Sequence, residues 1–302
     1  MIRRMALAVQ SLVRLARSFT SHPLTRKQPL AACGRFLAWQ VASRIDRGIH
    51  VRPFVSGTRL AICHGMHAAT ANIYVGLMEF AEMGFTLHML RSDDLFVDVG
   101  ANVGTYCVIA SGACQARSLA IEPNPASLAA LERNIALNGL ETRVRIAPMA
   151  AGAKAGRVAI TTSLDSLNHV AEAGETAPTL DVPVDRLDHL VGDDVPILMK
   201  IDVEGFESEV LAGAERLLGD QRLEALIIEL NGSGARYGFS DAMIHARLVG
   251  FGFAPCLYDP LTRCLTPVPS FGSHNTIYVR DIASIAKRVA TAAPFTVLGR
   301  RI

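Results

Sequence analysis

The sequence predicts an α/β protein, a mainly parallel sheet with helices on both faces, preceded by a mostly helical extension. Three observations carry that expectation. From Asp94 onward, short apolar runs alternate with stretches whose apolar residues fall three and four apart. That is the rhythm of buried strands joined by helices. The first run closes on Gly100 and Gly104, and the second closes on a carboxylate, Glu122. With 302 residues, half of them hydrophobic and 19% charged, the chain has enough apolar material for one substantial core. A disordered chain is excluded.

The elements follow in order. Val51 to Ile62 reads as a short strand or hairpin turning at Ser56-Gly57, and Asn72 to Leu90 as helix or loop leading into the main domain. Leu95-Phe-Val-Asp-Val99 is an uninterrupted apolar run of the kind buried in parallel sheets. Leu119 to Glu122 is the second strand. Asn124 is a good helix N-cap and Pro125 a good first helical residue. Leu128, Leu131 and Ile135 give that helix one apolar face, and Asn138-Gly139 stops it.

Val144 to Ala150 is expected as the third strand, with Val158 to Thr162 and Val182 to Leu187 as further strands around a loop. Ile197 to Asp202 is another buried strand, followed by a helix over Glu207 to Leu218 that Gly219 ends. Leu226 to Leu230 is a strand, and Asp241 to Val249 a helix capped by Ser240 or Asp241. Phe253 to Tyr258 and Thr276 to Val279 make a terminal strand pair, with one more helix after Arg280. The expected division is an extension over 1–90, a main domain over 91–282 and a tail over 283–302.

Composition narrows the function. The net charge is +2 and aromatics are 6% of residues, so neither a basic footprint nor a stacking surface for nucleic acid is expected. Six cysteines are scattered with no Cys-x-x-Cys pair, which fits buried thiols in a reducing compartment better than zinc or disulfides. No phosphate loop, nucleophile elbow or paired-histidine helix occurs, and no metal site is expected. His169, in the loop after the third strand, has the chemistry of a general base but the usual fate of a surface histidine. Residues 1–20 carry Arg3, Arg4, Arg14 and Arg17 among apolar residues. They read either as an amphipathic helix on an anionic membrane or as an ordinary basic helix. With no export signal visible, the cytoplasm is the expected location, peripheral membrane contact through residues 1–20 being the one qualification. Oligomeric state is not legible.

The chemistry concentrates in three places. Asp98-Val-Gly100-Ala-Asn-Val-Gly104 follows a strand, and its glycines let backbone approach a ligand outside the strand ends. Asp98 there repels a pyrophosphate but suits a cation. Glu122 lies 22 residues past Gly100, where a carboxylate can accept both ribose hydroxyls of a nucleoside. Lys200-Ile-Asp202-Val-Glu204-Gly205 ends another apolar strand. Its two carboxylates are close enough to perturb one another, and its Lys needs a partner. Glu229 ends the next strand, ahead of Asn231-Gly-Ser-Gly234, facing the same crevice.

Together Phe96-Val-Asp-Val-Gly-Ala-Asn-Val-Gly104, Ile121-Glu-Pro123, Leu187-Asp188, Lys200-Ile-Asp-Val-Glu-Gly205 and Glu207 to Ala214 resemble the FkbM family of S-adenosylmethionine-dependent methyltransferases. The resemblance spans about residues 92 to 232. It implies a class I methyltransferase-like, Rossmann-like fold and an O-methyltransferase acting on a glycan or small molecule. It also implies that Asp98, Gly100, Ala101, Asn102 and Gly104 line the methionine part of the cofactor, with Glu122 at its ribose. The acid many methyltransferases place near adenine is absent from Ala147-Pro-Met-Ala150, so Asn168 is expected to supply that contact. Asp202 is the first candidate for the base, then Glu204 or Glu229, with Lys200 orienting a carboxylate. The competing expectations are an NAD-type oxidoreductase and a non-enzymatic, membrane-associated scaffold.

Overall fold

The computed structural model describes residues 18–164, 167–172 and 174–302, with His67 and Ala68 described by their backbone. The basic segment over 1–17, which holds most of the expected membrane-contacting stretch, lies outside the described residues.

Among the described residues the extension holds a helical turn over 18–21, three further helices and a hairpin. Helix α1 (Pro29–Ile45) starts on proline, whose missing N–H is one that a helix start leaves unbonded anyway. The hairpin β1 (His50–Pro53) and β2 (Arg59–Ile62) turns where expected. Ser56 and Gly57 both hold positive φ there, 47° and 90°. The stretch read as helix or loop is two helices, α2 (His67–Val75) and α3 (Phe80–Met89), separated at Gly76 with φ 91°.

Strand β3 (Leu95–Val99) is followed by a short helix α4 (Thr105–Cys107), which widens into a π-helical stretch over Val108–Ala113. Strand β4 (Arg117–Ile121) leads to α5 (Pro125–Leu137), whose Asn124 cap accepts a hydrogen bond from the Ala126 N–H at 2.9 Å. The expected third strand is two: β5 (Val144–Ala147) and β6 (Ala150–Gly152). Pro148 stands between them; it has no N–H for a ladder and turns the chain out of the sheet. Next come β7 (Gly156–Thr161), β8 (Thr179–Arg186) and α6 (Leu187–Val191).

Strand β9 (Leu198–Ile201) stops one residue short of Asp202. The expected single helix after it is broken into α7 (Glu207–Ala212) and α8 (Glu215–Gly219). The break has a tertiary cause. A β-carbon at Gly213 would lie 2.0 Å from the Gly152 carbonyl oxygen, so backbone packs against backbone where a helix would have run on. Strand β10 (Ala225–Glu229) precedes a 3-10 turn over Ser233–Tyr237 and helix α9 (Asp241–Gly250). The edge strands are β11 (Ala254–Asp259), β12 (Cys264–Pro267) and β13 (Asn275–Val279), of which β12 was not anticipated. Helix α10 (Ile282–Ala290) and a small hairpin, β14 (Thr296–Val297) with β15 (Arg300–Arg301), close the chain.

The main sheet runs β12-β11-β13-β10-β9-β3-β4-β5. Strands β10, β9, β3, β4 and β5 are parallel; β13, β11 and β12 form an antiparallel edge. The chain leaves β3 toward β4 on one side, and β9 returns on its other side. Strand order therefore reverses beside β3, the place where open α/β sheets form a crevice. A separate sheet, β6-β8-β7, projects from the main one.

One buried cluster joins all three stretches of chain. It packs Leu24, Leu77 and Phe85 of the extension against Phe96 of β3 and against Ile285 and Phe295 near the C-terminal end. Arg300 also donates to the carbonyl oxygens of Pro23 and Leu24 at 3.1 and 3.0 Å. Among the described residues, no helix is long and apolar enough to cross a membrane.

Candidate active site

The reversal beside β3 opens into a cavity of about 270 Å³. Its floor is the turn after β3. At Gly100 the chain takes φ 82°, and a β-carbon there would sit 1.9 Å from the Asp202 carbonyl oxygen. Only glycine fits both the dihedral and the gap. Asn102 also holds positive φ, 50°, a conformation asparagine tolerates better than most residues. Its N–H donates to Glu122 Oε2 at 2.8 Å, and the Asn124 N–H donates to Oε1 at 2.8 Å. One buried carboxylate thus fastens the ends of two adjacent strands. Each of its oxygens keeps a further lone pair for a ligand hydroxyl. Burial pushes the Glu122 carboxyl up to about 7, against the pull of those two N–H groups.

Asp98 is 1% exposed and accepts a hydrogen bond from Cys107 Sγ at 3.4 Å. Burial raises it to about 6, which the charge on Lys200 opposes. Gly104 stands apart. Asp98, Gly100, Ala101, Asn102, Glu122 and Asn168 all face the cavity, but the space at Gly104 is taken by α5, with Leu131 Cδ1 2.4 Å from where a β-carbon would be. Its glycine lets two helices meet, and Gly104 is not among the residues lining the cavity.

Strands β9 and β10 bring the second group. Their parallel register sets Ile228 beside Ile201, so the next residue of each, Asp202 just past β9 and Glu229 at the end of β10, come side by side. Glu204 reaches them by a different route from the strand geometry expected. The strand has ended, and Glu204 turns back with φ 55°. Oxygens of Asp202, Glu204 and Glu229 lie within 4.8 Å of one another, a spacing that could hold a cation. Glu229 Oε2 is shut off from solvent and has no hydrogen-bond partner. Burial, then the charges of Asp202, Glu204 and Glu207, drives the Glu229 carboxyl well above the carboxylate range. Glu204 is pushed to about 7 by burial and by Asp202. Glu207, behind them, accepts the N–H groups of Val203 and Gly205, both at 3.1 Å, and holds the turn.

Lys200 is 4% exposed and donates to Asp202 Oδ2 at 2.6 Å. Burial works to strip its proton, but Asp202, Glu79 and Asp98 outweigh burial and raise its pKa. Its Nζ also sits over the Tyr106 ring, 4.8 Å from the centroid, a cation–π contact. The Tyr106 hydroxyl donates to Glu79 at 2.5 Å. The line Glu79, Tyr106, Lys200, Asp202 therefore crosses the cavity wall from the extension to β9.

Glu79, Asn72, Met78 and Met83 of the extension line the cavity and were not anticipated; nothing in their local sequence is a motif. From the other side, the loop between β7 and β8 brings Asn168, His169 and Val170. Asn168 Oδ1 accepts the Leu164 N–H at 3.0 Å. His169 is held by Glu175 at 3.4 Å and by the Leu167 carbonyl at 2.9 Å.

Comparison with known proteins bears on this geometry. The model of the methyltransferase FkbM domain matches residues 98–253. No curated protein matches the sequence. Among solved structures, methyltransferase FkbM from Methylobacillus flagellatus KT is similar at 18% identity and a TM-score of 0.44. That likeness covers 82% of this chain but 59% of the other. An rRNA methylase from Streptococcus thermophilus is similar at 15% identity, covering 66% of this chain and 93% of that one, with a TM-score of 0.38. TrmK from M. capricolum, solved with S-adenosylhomocysteine, is similar at 10% identity, covering 66% of each chain, with a TM-score of 0.37.

Proposed function

The chain belongs to the FkbM methyltransferase family, and on that premise we propose that it transfers the methyl group of S-adenosylmethionine to a hydroxyl oxygen of a small-molecule or glycan acceptor. The observation that carries the reading is the pairing of the Gly100 turn with Glu122 in the lining of a cavity rich in carboxylates. Those residues fit the cofactor. A positively charged ligand suits a cleft holding Asp98, Asp202, Glu204 and Glu229 against a single Lys200. Gly100 leaves backbone bare for close approach, and Glu122 offers lone pairs for ribose hydroxyls.

When bound, S-adenosylmethionine supplies an electrophilic methyl carbon whose bond to sulfur breaks as the acceptor oxygen attacks. The protein's tasks are alignment, exclusion of water and removal of the hydroxyl proton. Asp202 is the first candidate to take that proton, since Lys200 fixes one of its oxygens and so orients the other. Glu204 and Glu229 stand within reach to share it. Asn168 lines the cavity on the side of the β7–β8 loop and is assigned the adenine contact.

Calorimetry tests the premise and the cofactor together. S-adenosylmethionine and S-adenosylhomocysteine should bind the wild-type chain, and Glu122→Ala should weaken both at least roughly tenfold, since it removes two backbone anchors along with the ribose contact. Binding unchanged in Glu122→Ala would sink this placement of the cofactor. Oxygen as the acceptor atom is tested by methyl transfer to a hydroxyl compound and its failure on the matching amine.

A further inference from the structure

The extension carries a charge that the rest of the chain does not share. Over residues 1–90 there are eleven Lys and Arg residues against three acids, Asp46, Glu79 and Glu82, a net of +8 in a chain whose total is +2. From Arg91 on, nineteen cations face twenty-five acids. The near-neutral total conceals a basic extension on an acidic domain.

Helix α1 shows where that charge meets apolar surface. Its inner side buries Ala32, Trp39 and Ser43. Leu30, Leu37, Val41 and Ile45 all point outward, with Leu30 84% and Ile45 82% exposed. At about 100° per residue these four fall within one stripe roughly 80° wide. Ile49 and Val51, just past the helix, are exposed as well. Arg26, Lys27, Arg44 and Arg47 flank the stripe and are exposed. Isolated exposed aliphatics need no explanation; a helix-long stripe of them set among cations does.

We propose that this face of α1 is a docking surface for an anionic lipid bilayer. Charge complementarity selects that occupant. A second copy would bring one basic face against another, which repels. A nucleic acid would satisfy the arginines but leave the aliphatic stripe facing phosphate and water. A bilayer surface with anionic headgroups meets both demands, headgroups for the cations and the acyl boundary for Leu37, Val41 and Ile45. Because α1 packs on α2, and α2 supplies Ala69 and Asn72 to the cavity, the docked helix is one layer removed from the reaction site. The inference concerns a surface outside the cavity and stands apart from the proposed chemistry.

Sedimentation of the full chain with vesicles tests it, using phosphatidylcholine alone and phosphatidylcholine with phosphatidylglycerol. Binding is expected to the second only, and to fall as salt rises. Combined Leu37→Ser, Val41→Ser and Ile45→Ser should abolish it. Arg44→Gln with Arg47→Gln should weaken it roughly thirty-fold. These positions are exposed, so the melting temperature and cofactor affinity should not move, and they serve as the folding controls. The proposal is overturned if the wild-type chain ignores anionic vesicles. It is equally overturned if both variants bind as well as wild type, which would leave residues 1–17 as the docking element. Variants that change the oligomeric state while vesicle binding persists would assign the stripe to self-association instead.

Discussion

The α-carbon of Gly100 faces the carbonyl oxygen of Asp202 so closely that a β-carbon would lie 1.9 Å from it. The glycine turn after β3 and the turn that carries the candidate base are therefore in backbone contact. Gly100→Ala must open that contact and also hold alanine at φ 82°. A loss of about 3 kcal/mol in urea unfolding is expected, together with loss of cofactor binding. Wild-type stability in this variant would mean that the two turns are not in contact.

Lys200 is the buried cation that pairs with Asp202 among the acids of the site. Lys200→Met leaves Asp98 and Asp202 without it, and should destabilise the fold by about 3–5 kcal/mol. Tyr106→Phe removes only the hydroxyl bond to Glu79 and should cost about 1 kcal/mol. Equal losses in the two variants, measured by denaturant unfolding, would contradict the arrangement.

Stability should fall with rising pH between about 5 and 8. Burial raises Asp98 to about 6 and Glu122, Glu204 and Glu207 to about 7. A carboxyl raised on folding binds its proton more tightly in the native state. Its contribution is complete below the unfolded value near 4.5 and is lost as pH passes the folded value. Lys200, raised from above 10, contributes no slope in this window. The melting temperature without ligand should be higher at pH 5.5 than at pH 8, and Glu204→Gln should flatten the difference.

Turnover should separate the base from the cofactor site. Asp202→Asn and Glu229→Gln, tested singly, should each lower kcat by about a hundredfold while S-adenosylmethionine affinity stays within about threefold. If both variants turned over at the wild-type rate, the proton would have to leave by another route.

Much of this site was legible in the chain itself. The apolar run of β3, the glycine after it and the carboxylate closing the next strand are local signals, and Asn124-Pro125 marks a helix start by its own chemistry. What escaped was non-local. Helix α7 stops because Gly213 meets the backbone at Gly152, far away in sequence. Glu204 joins Asp202 through a turn with positive φ rather than through strand alternation. Glu79 belongs to the site because the extension folds back over Tyr106, and no residue near Glu79 announces that. Pro148, by contrast, was in plain view, and its break in the third strand could have been read from its missing N–H.

The β7–β8 connection reaches the cavity from a small sheet of its own. Thr161 and Thr179 are paired opposite each other, so the intervening segment starts and finishes at one point of the small sheet. Its tip supplies Asn168, His169 and Val170 to the cavity, while the Gly100 turn and Glu122 belong to the main sheet. A segment whose ends already meet can be exchanged for one of another length at little entropic cost. Grafts between those two threonines that keep Asn168 should leave S-adenosylmethionine affinity unchanged while reshaping the cavity wall at His169 and Val170.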